Sequence, residues 1–302
     1  MDIKRRDFLK QSALGIGAVI AGPRLAGAAE PAPAFFDPYE KVTLGRTGLQ
    51  FPRLCLGTGA NGWHRESNHT RMGQAKFTQL VRGAHDRGVR LFDSADLYGT
   101  HPFLASALDG VPRDQYSIVT KIWWAPDGIL EKERPDADVV VARFLKELRT
   151  DHIELVLLHC VTSPEWPQQL RRQMEALATL KQKGVVRAVG VSCHSLQALE
   201  AAAAEPWVDS VHTRINPYGM SMDGSVAHVL PVIQKLHAAG KGVVGMKLVG
   251  NGQLRHDPTR LDESVRYALQ SGVVEVLNVG CESTAEVDDF AARVRKVRRN
   301  SA

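Results

Sequence analysis

The chain has 302 residues, 44% hydrophobic and 24% charged, which suits one large α/β barrel or two smaller domains and excludes a disordered, collagen-like or polytopic membrane protein. Its formal charge is +5, but the first 28 residues hold five of the 38 basic and two of the 33 acidic side chains, leaving +2 for the remainder. So slight an excess gives no electrostatic reason to expect nucleic acid or an anionic membrane as a partner.

Residues 1–28 have the three parts of a secretory signal: a basic start, an apolar stretch from Ala13 to Ala21, and small residues at Ala26-Gly27-Ala28, after which cleavage is expected. The start, Lys4-Arg5-Arg6-Asp7-Phe8-Leu9-Lys10, resembles the twin-arginine consensus, and Gly15 and Gly17 keep the apolar stretch mild. This predicts handling by the twin-arginine export machinery and a periplasmic location. No Cys stands at the cleavage site and no other stretch offers about 18 uninterrupted apolar residues, so stable membrane anchoring is not expected. Residues 29–40, with Pro31 and Pro38, read as a loose linker, and residues 41–302 as the folded domain.

From Val42 to Phe51 the turn-rich pattern predicts a small β-hairpin. Strand-like apolar runs then alternate with helical patterns. The runs fall at Arg53 to Gly57, Val89 to Asp93, Ser117 to Ile122, Ile153 to His159, Val185 to Ser192, Ser210 to Ile215, Val243 to Leu248 and Val273 to Gly280. Eight such units predict an α/β fold of the (β/α)8 TIM-barrel type with an N-terminal β-hairpin. A doubly wound sheet fits less well, because no Gly-x-Gly-x-x-Gly follows the first strand. The run from Arg293 to Arg299 reads as a last helix with cations at its C-terminal end.

A barrel of this kind builds its active site at the C-terminal ends of its strands. The polar residues there are Asp93, Lys121, His159, Ser192, Cys193, His194, His212, Lys247 and Cys281. Each alone has a structural explanation, a helix cap or a satisfied core histidine, but four polar residues closing three successive apolar strands are hard to explain as scaffold. Strand two ends Leu91-Phe92-Asp93 and leads to Tyr98, strand three ends in Lys121 and strand four in His159. In identity, order and strand position these resemble the tetrad of the aldo-keto reductases. The resemblance implies Tyr98 as general acid toward a carbonyl oxygen, Lys121 lowering its pKa, Asp93 paired to Lys121, and His159 orienting substrate. A phenol titrating near 10 needs such tuning to work near neutrality.

The resemblance extends over most of the chain through Val189-Gly190-Val191-Ser192, Asn216-Pro217-Tyr218 and Val244-Gly245-Met246-Lys247. It implies a carbonyl or alcohol substrate and a nicotinamide cofactor, NAD or NADP, held by Thr58, Ser192, Cys193, His212, Met246, Lys247, Gly280, Glu282 and Glu286. The pattern departs in places. Cys193 and Met246 stand where the family holds the nicotinamide with an Asn and an aromatic ring, and a thiol cannot supply an amide's donors and acceptor. Glu282 and Glu286 would repel a 2'-phosphate, which favours NAD. Loop residues Trp63, His64, Arg65, His69, Trp123, Trp124, Trp166 and Asn251 suit a sugar or another polyhydroxylated compound. A nicotinamide loaded in the cytoplasm and retained would serve a redox-neutral epimerase or lyase. A non-redox or ligand-binding barrel that kept the tetrad is the other class left open.

The four cysteines, Cys55, Cys160, Cys193 and Cys281, read as free thiols, although Cys160 and Cys193 close adjacent strands near bridging range. His159, Cys160, Cys193, His194 and His212 are of the residue types that bind zinc or copper, but no tight ligand spacing supports a metal site.

Overall fold

The computed structural model describes residues 34–300; the expected export signal and the first part of the linker lie outside them. A two-stranded antiparallel hairpin, β1 (Lys41–Thr43) and β2 (Gln50–Pro52), precedes eight parallel strands. These are β3 (Leu54–Gly57), β4 (Leu91–Asp93), β5 (Ser117–Ile122), β6 (Ile153–Val161), β7 (Val186–Cys193), β8 (Ser210–Arg214), β9 (Gly242–Met246) and β10 (Val276–Val279). They close in chain order, with β10 pairing back onto β3. All eight expected strands and the hairpin are present.

The helices are α1 (Asn68–Arg71), α2 (Gln74–Arg87), α3 (His101–Ala107), α4 (Ala137–Leu148), α5 (Trp166–Gln169), α6 (Arg171–Gln182), α7 (Leu196–Ala204), α8 (Val226–Ala238), α9 (Pro258–Gln270) and α10 (Thr284–Lys296). Each longer helix turns an apolar stripe to the sheet, as α2 does with Phe77, Leu80, Val81 and Ala84. Ser195, Asp257 and Ser283 accept backbone N–H bonds at the starts of α7, α9 and α10, satisfying donors the helix itself leaves open. Arg293, Arg295 and Lys296 form the basic last turn of α10, as expected.

Residues alternate along each strand between the helix-covered exterior and the interior. The inner set includes Leu91, Val119, Leu155, Leu157, Ala188, Val244 and Val276. Leu44 and Phe51 of the hairpin join it, and Leu44 packs on Gly242 at the start of β9, so the hairpin plugs the N-terminal end. The apolar interior gives way toward the C-terminal end to polar side chains.

The segment expected to be a loose linker is fixed where it is described. Phe35 bridges to Arg298, Phe36 N–H donates to Val297 O at 3.1 Å, and Leu54 N–H donates to Pro38 O at 2.8 Å. Arg53 and Arg299 stack on the Phe36 ring and both pair with Glu40. Among the described residues no helix is long and apolar enough to cross a membrane.

Candidate active site

The inward alternation brings Asp93 of β4, Lys121 of β5, His159 and Ser192 of β6 and β7, Met246 of β9 and Asn278 of β10 around one cavity of about 480 Å³. Lys121 Nζ donates to Asp93 Oδ1 at 2.5 Å and to Ser94 O at 2.9 Å. Asn278 Nδ2 donates to the other carboxylate oxygen at 2.6 Å. Burial by itself would raise the Asp93 carboxyl, but the Lys121 ammonium and the nearby His212 hold it well below the usual carboxylate range. The result is a buried, paired ion couple, the form in which such charges are tolerated.

Tyr98 reaches the same cavity from a short helical turn, Asp96–Tyr98, after β4. Two glycines make its slot. A Cβ at Gly59 would lie 2.2 Å from the ring, and one at Gly62 would lie 2.4 Å from it. Tyr98 Oη and His159 Nε2 are 3.3 Å apart, with the rings edge-to-face at 5.4 Å, and Lys121 Nζ lies 5.0 Å from the Tyr98 ring centroid.

The phenol does not follow the expectation that Lys121 lowers it. Burial pushes it well above its ordinary value, with Asp93 and Cys160 adding to the rise, while the Lys121 charge is engaged by Asp93. His159 is pushed well below its ordinary value by burial and by Lys121, so its imidazole is neutral.

The far end of the cavity is lined by the loop after β9 and the loop after β10. Lys247, at a left-handed φ of 63°, donates to Asn251 Oδ1 at 2.9 Å. Arg255 reaches across to Glu282 at 3.5 Å and to Glu286, and Asn68 Nδ2 donates to Glu282 at 2.6 Å. Ser192, Met246, Lys247, Gly280, Glu282 and Glu286, six of the nine residues expected to hold a cofactor, line the cavity.

Three candidates do not. Thr58 is buried beside the backbone of Asp93, bonding its carbonyl through both N–H and Oγ1 at 2.9 Å. Cys193 follows Ser192 along β7 and so points the other way, into the core between barrel and helices. His212 faces inward but is fully buried beneath Asp93 and does not line the cavity.

A family model described as "Aldo/keto reductase family" matches residues 53–293. This chain belongs to the Aldo/keto reductase family. A methylglyoxal reductase, DkgB, of Salmonella typhi is 26% identical over 201 residues, 64% of this chain and 73% of that one. Among solved structures, an aldo-keto reductase of Bacillus halodurans in its holo form is 20% identical with a TM-score of 0.68, covering 87% of this chain and 93% of its own. Another from Klebsiella pneumoniae, solved in complex with NADPH, is 19% identical with a TM-score of 0.61, covering 86% and 90%.

Beside the tetrad this aldo-keto reductase carries a second polar chain at the cavity rim. Arg214 Nη2 meets His194 Nδ1 at 2.5 Å, and His194 Nε2 lies 3.3 Å from Cys160 Sγ. A guanidinium only donates, so His194 Nδ1 accepts and the proton of the neutral ring sits on Nε2. Burial and Arg214 take His194 down to about 3, and burial takes the Cys160 thiol up to about 12. Cys160 is therefore a neutral thiol and not an activated nucleophile. All four cysteines are free, and among the described residues no three His, Cys, Asp or Glu side chains converge as metal ligands.

Sequence reasoning missed Asn278 and Arg255. Asn278 looks like one polar residue in the middle of an apolar strand, and that was its signal. Arg255 lies in a loop with no pattern to mark it. Trp166, expected near the substrate, is instead a core residue whose Nε1 donates to Ala198 O at 3.2 Å.

Proposed function

We propose that this family member reduces a small carbonyl compound with a nicotinamide cofactor, Tyr98 acting as general acid. The observation that carries the proposal is a protonated, half-buried phenol 3.3 Å from a neutral His159, with a Lys121–Asp93 couple behind it. When bound, the nicotinamide supplies the hydride. Tyr98 Oη–H gives its proton to the carbonyl oxygen, and His159 orients that oxygen. Burial disfavours the phenolate in the resting protein, so the group stands ready as an acid near neutral pH.

The residues present fit the cofactor. The cavity runs from the tetrad to two cations, Lys247 and Arg255, that suit a diphosphate. Arg255 is engaged by two carboxylates, Glu282 and Glu286, which would repel a 2'-phosphate and so favour NAD. Trp63 and Trp123 pack edge-to-face at 5.4 Å, Trp123 meets the His159 ring at 5.4 Å and Trp124 Nε1 donates to His159 O, and aromatic groups next to His159 suit a polyhydroxylated substrate. The twin-arginine-like start supports export of residues 29–302 as a folded, cofactor-loaded unit to the periplasm. The Arg255–Glu286 pair spanning the cavity supports a second reading, retention of the nicotinamide through a redox-neutral epimerisation or lyase reaction.

The test is native mass spectrometry of the purified protein before and after denaturation, with calorimetric titration of NAD, NADH, NADP and NADPH. Bound nicotinamide, or NADH binding more tightly than NADPH, is the expected result. Equal or tighter NADPH binding removes the NAD preference, and failure of all four removes the reductase reading in favour of a ligand-binding barrel.

A further inference from the structure

Beneath the tetrad lies a histidine that the chemistry above does not use. His212 occupies the middle of β8, points into the barrel and is fully buried, yet neither ring nitrogen has a hydrogen-bond partner. A buried polar group left unbonded is a liability that an apolar side chain of similar volume avoids. What it faces is charge. Its Nε2 lies 3.5 Å from Asp93 Oδ1, the oxygen that also accepts Lys121 Nζ at 2.5 Å. Its register neighbours across the sheet, Ser192 and Val244, are uncharged.

Asn278 meets the same carboxylate from β10, at 2.6 Å from Oδ2, and Gly57 makes room for its amide: a Cβ there would stand 2.6 Å from Asn278 Oδ1. Asp93 thus accepts from Lys121 and Asn278, and His212 Nε2 stands 3.5 Å from it on a third strand. We propose that His212 and Asn278 are positioning residues, a buried brace that holds the Asp93 carboxylate turned toward Lys121 and so keeps that side chain fixed beside the Tyr98 ring.

The carboxylate also selects the His212 tautomer. A lone pair on Nε2 would face an anion, so the proton sits on Nε2 and Nδ1 is left bare. The titratable groups around the ring are Asp93, Lys121 and His159; burial, the largest influence, keeps the imidazole neutral against the pull of Asp93.

The kinetic part of the test rests on the reductase reading, and the spectroscopic part does not. With methylglyoxal and NADH as probes, His212→Leu is expected to lower kcat by about 10- to 100-fold with KM little changed, as a slight misplacement of a catalytic group does. His212→Gln, which restores a donor, is expected to recover most of that loss. Equal loss in both variants, or none in either, overturns the proposal. In parallel, imidazole ¹⁵N spectra of the wild-type protein are expected to show His212 protonated on Nε2, with a resonance that moves on Asp93→Asn. A proton on Nδ1, or a resonance indifferent to that change, also overturns it. If the wild-type protein reduces no carbonyl, the proposed function fails while the spectra still decide the brace.

Discussion

Tyr98 and Lys121 illustrate how one ion pair is shared among competing demands. Lys121 lies near the phenol, but its short bond is to Asp93, so in the resting site the phenol feels burial and the Asp93 anion more than the ammonium. The site therefore holds a reluctant acid whose proton leaves only when a developing alkoxide takes it. Removing the hydroxyl alone tests this. Tyr98→Phe keeps the ring in its glycine slot and is expected to lower kcat for carbonyl reduction by about 10²–10⁴-fold. Cofactor affinity should be nearly unchanged, because the ring still fills its place. If the rate survives in steady-state assays, the proton comes from elsewhere, and if cofactor affinity falls in parallel, Tyr98 is a binding residue and not an acid.

At the scale of elements, the loops decide what the strands present. The β3–α1 loop lies against the Tyr98 ring, and Gly59 is the contact where no side chain fits: a Cβ would stand 2.2 Å from the ring. Gly59→Ala is expected to shift the ring off His159 and lower kcat by about 10²-fold, a loss typical of a misplaced catalytic group, while circular dichroism shows the barrel intact. Undiminished turnover would mean that the loop yields and Tyr98 does not depend on it.

The same scale explains what the sequence revealed and what it hid. Eight apolar runs ending in polar residues made the strands and Asp93, Lys121 and His159 legible, because buried parallel strands leave little else for a polar residue to do. Facing was harder. Ser192 and Cys193 are adjacent and only one can look inward, a choice set by where β7 begins. In β6 a register shift between Leu158 and Val161 puts Cys160 at a left-handed φ of 55°, which no residue pattern announced. The segment from Ala34 to Glu40 reads as a linker because it shows no period and is interrupted by Pro38, yet it is held by partners some 260 residues away in sequence, such as Glu40 with Arg299, that only the fold brings near.

For the whole molecule, the polar mouth carries a price in acid. Buried His159 and half-buried His194 are neutral, each with a pKa below its ordinary value, His194 down to about 3. Unfolded, each titrates near 6.5 and binds a proton that the folded protein refuses, so the stability both share above that value is lost as pH falls. A histidine so depressed contributes a loss of about 1.4 kcal/mol per pH unit below about 6.5. Asp93 adds no loss in this window, because its depressed carboxyl stays ionised in both states until the unfolded value near 3.9 is approached. Urea unfolding of the cofactor-free protein at pH 7.5 and 5.5 is therefore expected to show the lower stability at pH 5.5, with His69 and His212, also depressed by burial, adding to the loss and Asp223, raised to about 6, offsetting part of it. His194→Gln should reduce that difference by about 1.4 kcal/mol. A protein proposed to work outside the cytoplasm, where pH follows the medium, would meet this weakness directly, and a bound cofactor would offset it by favouring the folded state. Identical unfolding curves at the two pH values would mean that the histidines are protonated in the native mouth, and the neutral His159 on which the proposed acid catalysis depends would go with them.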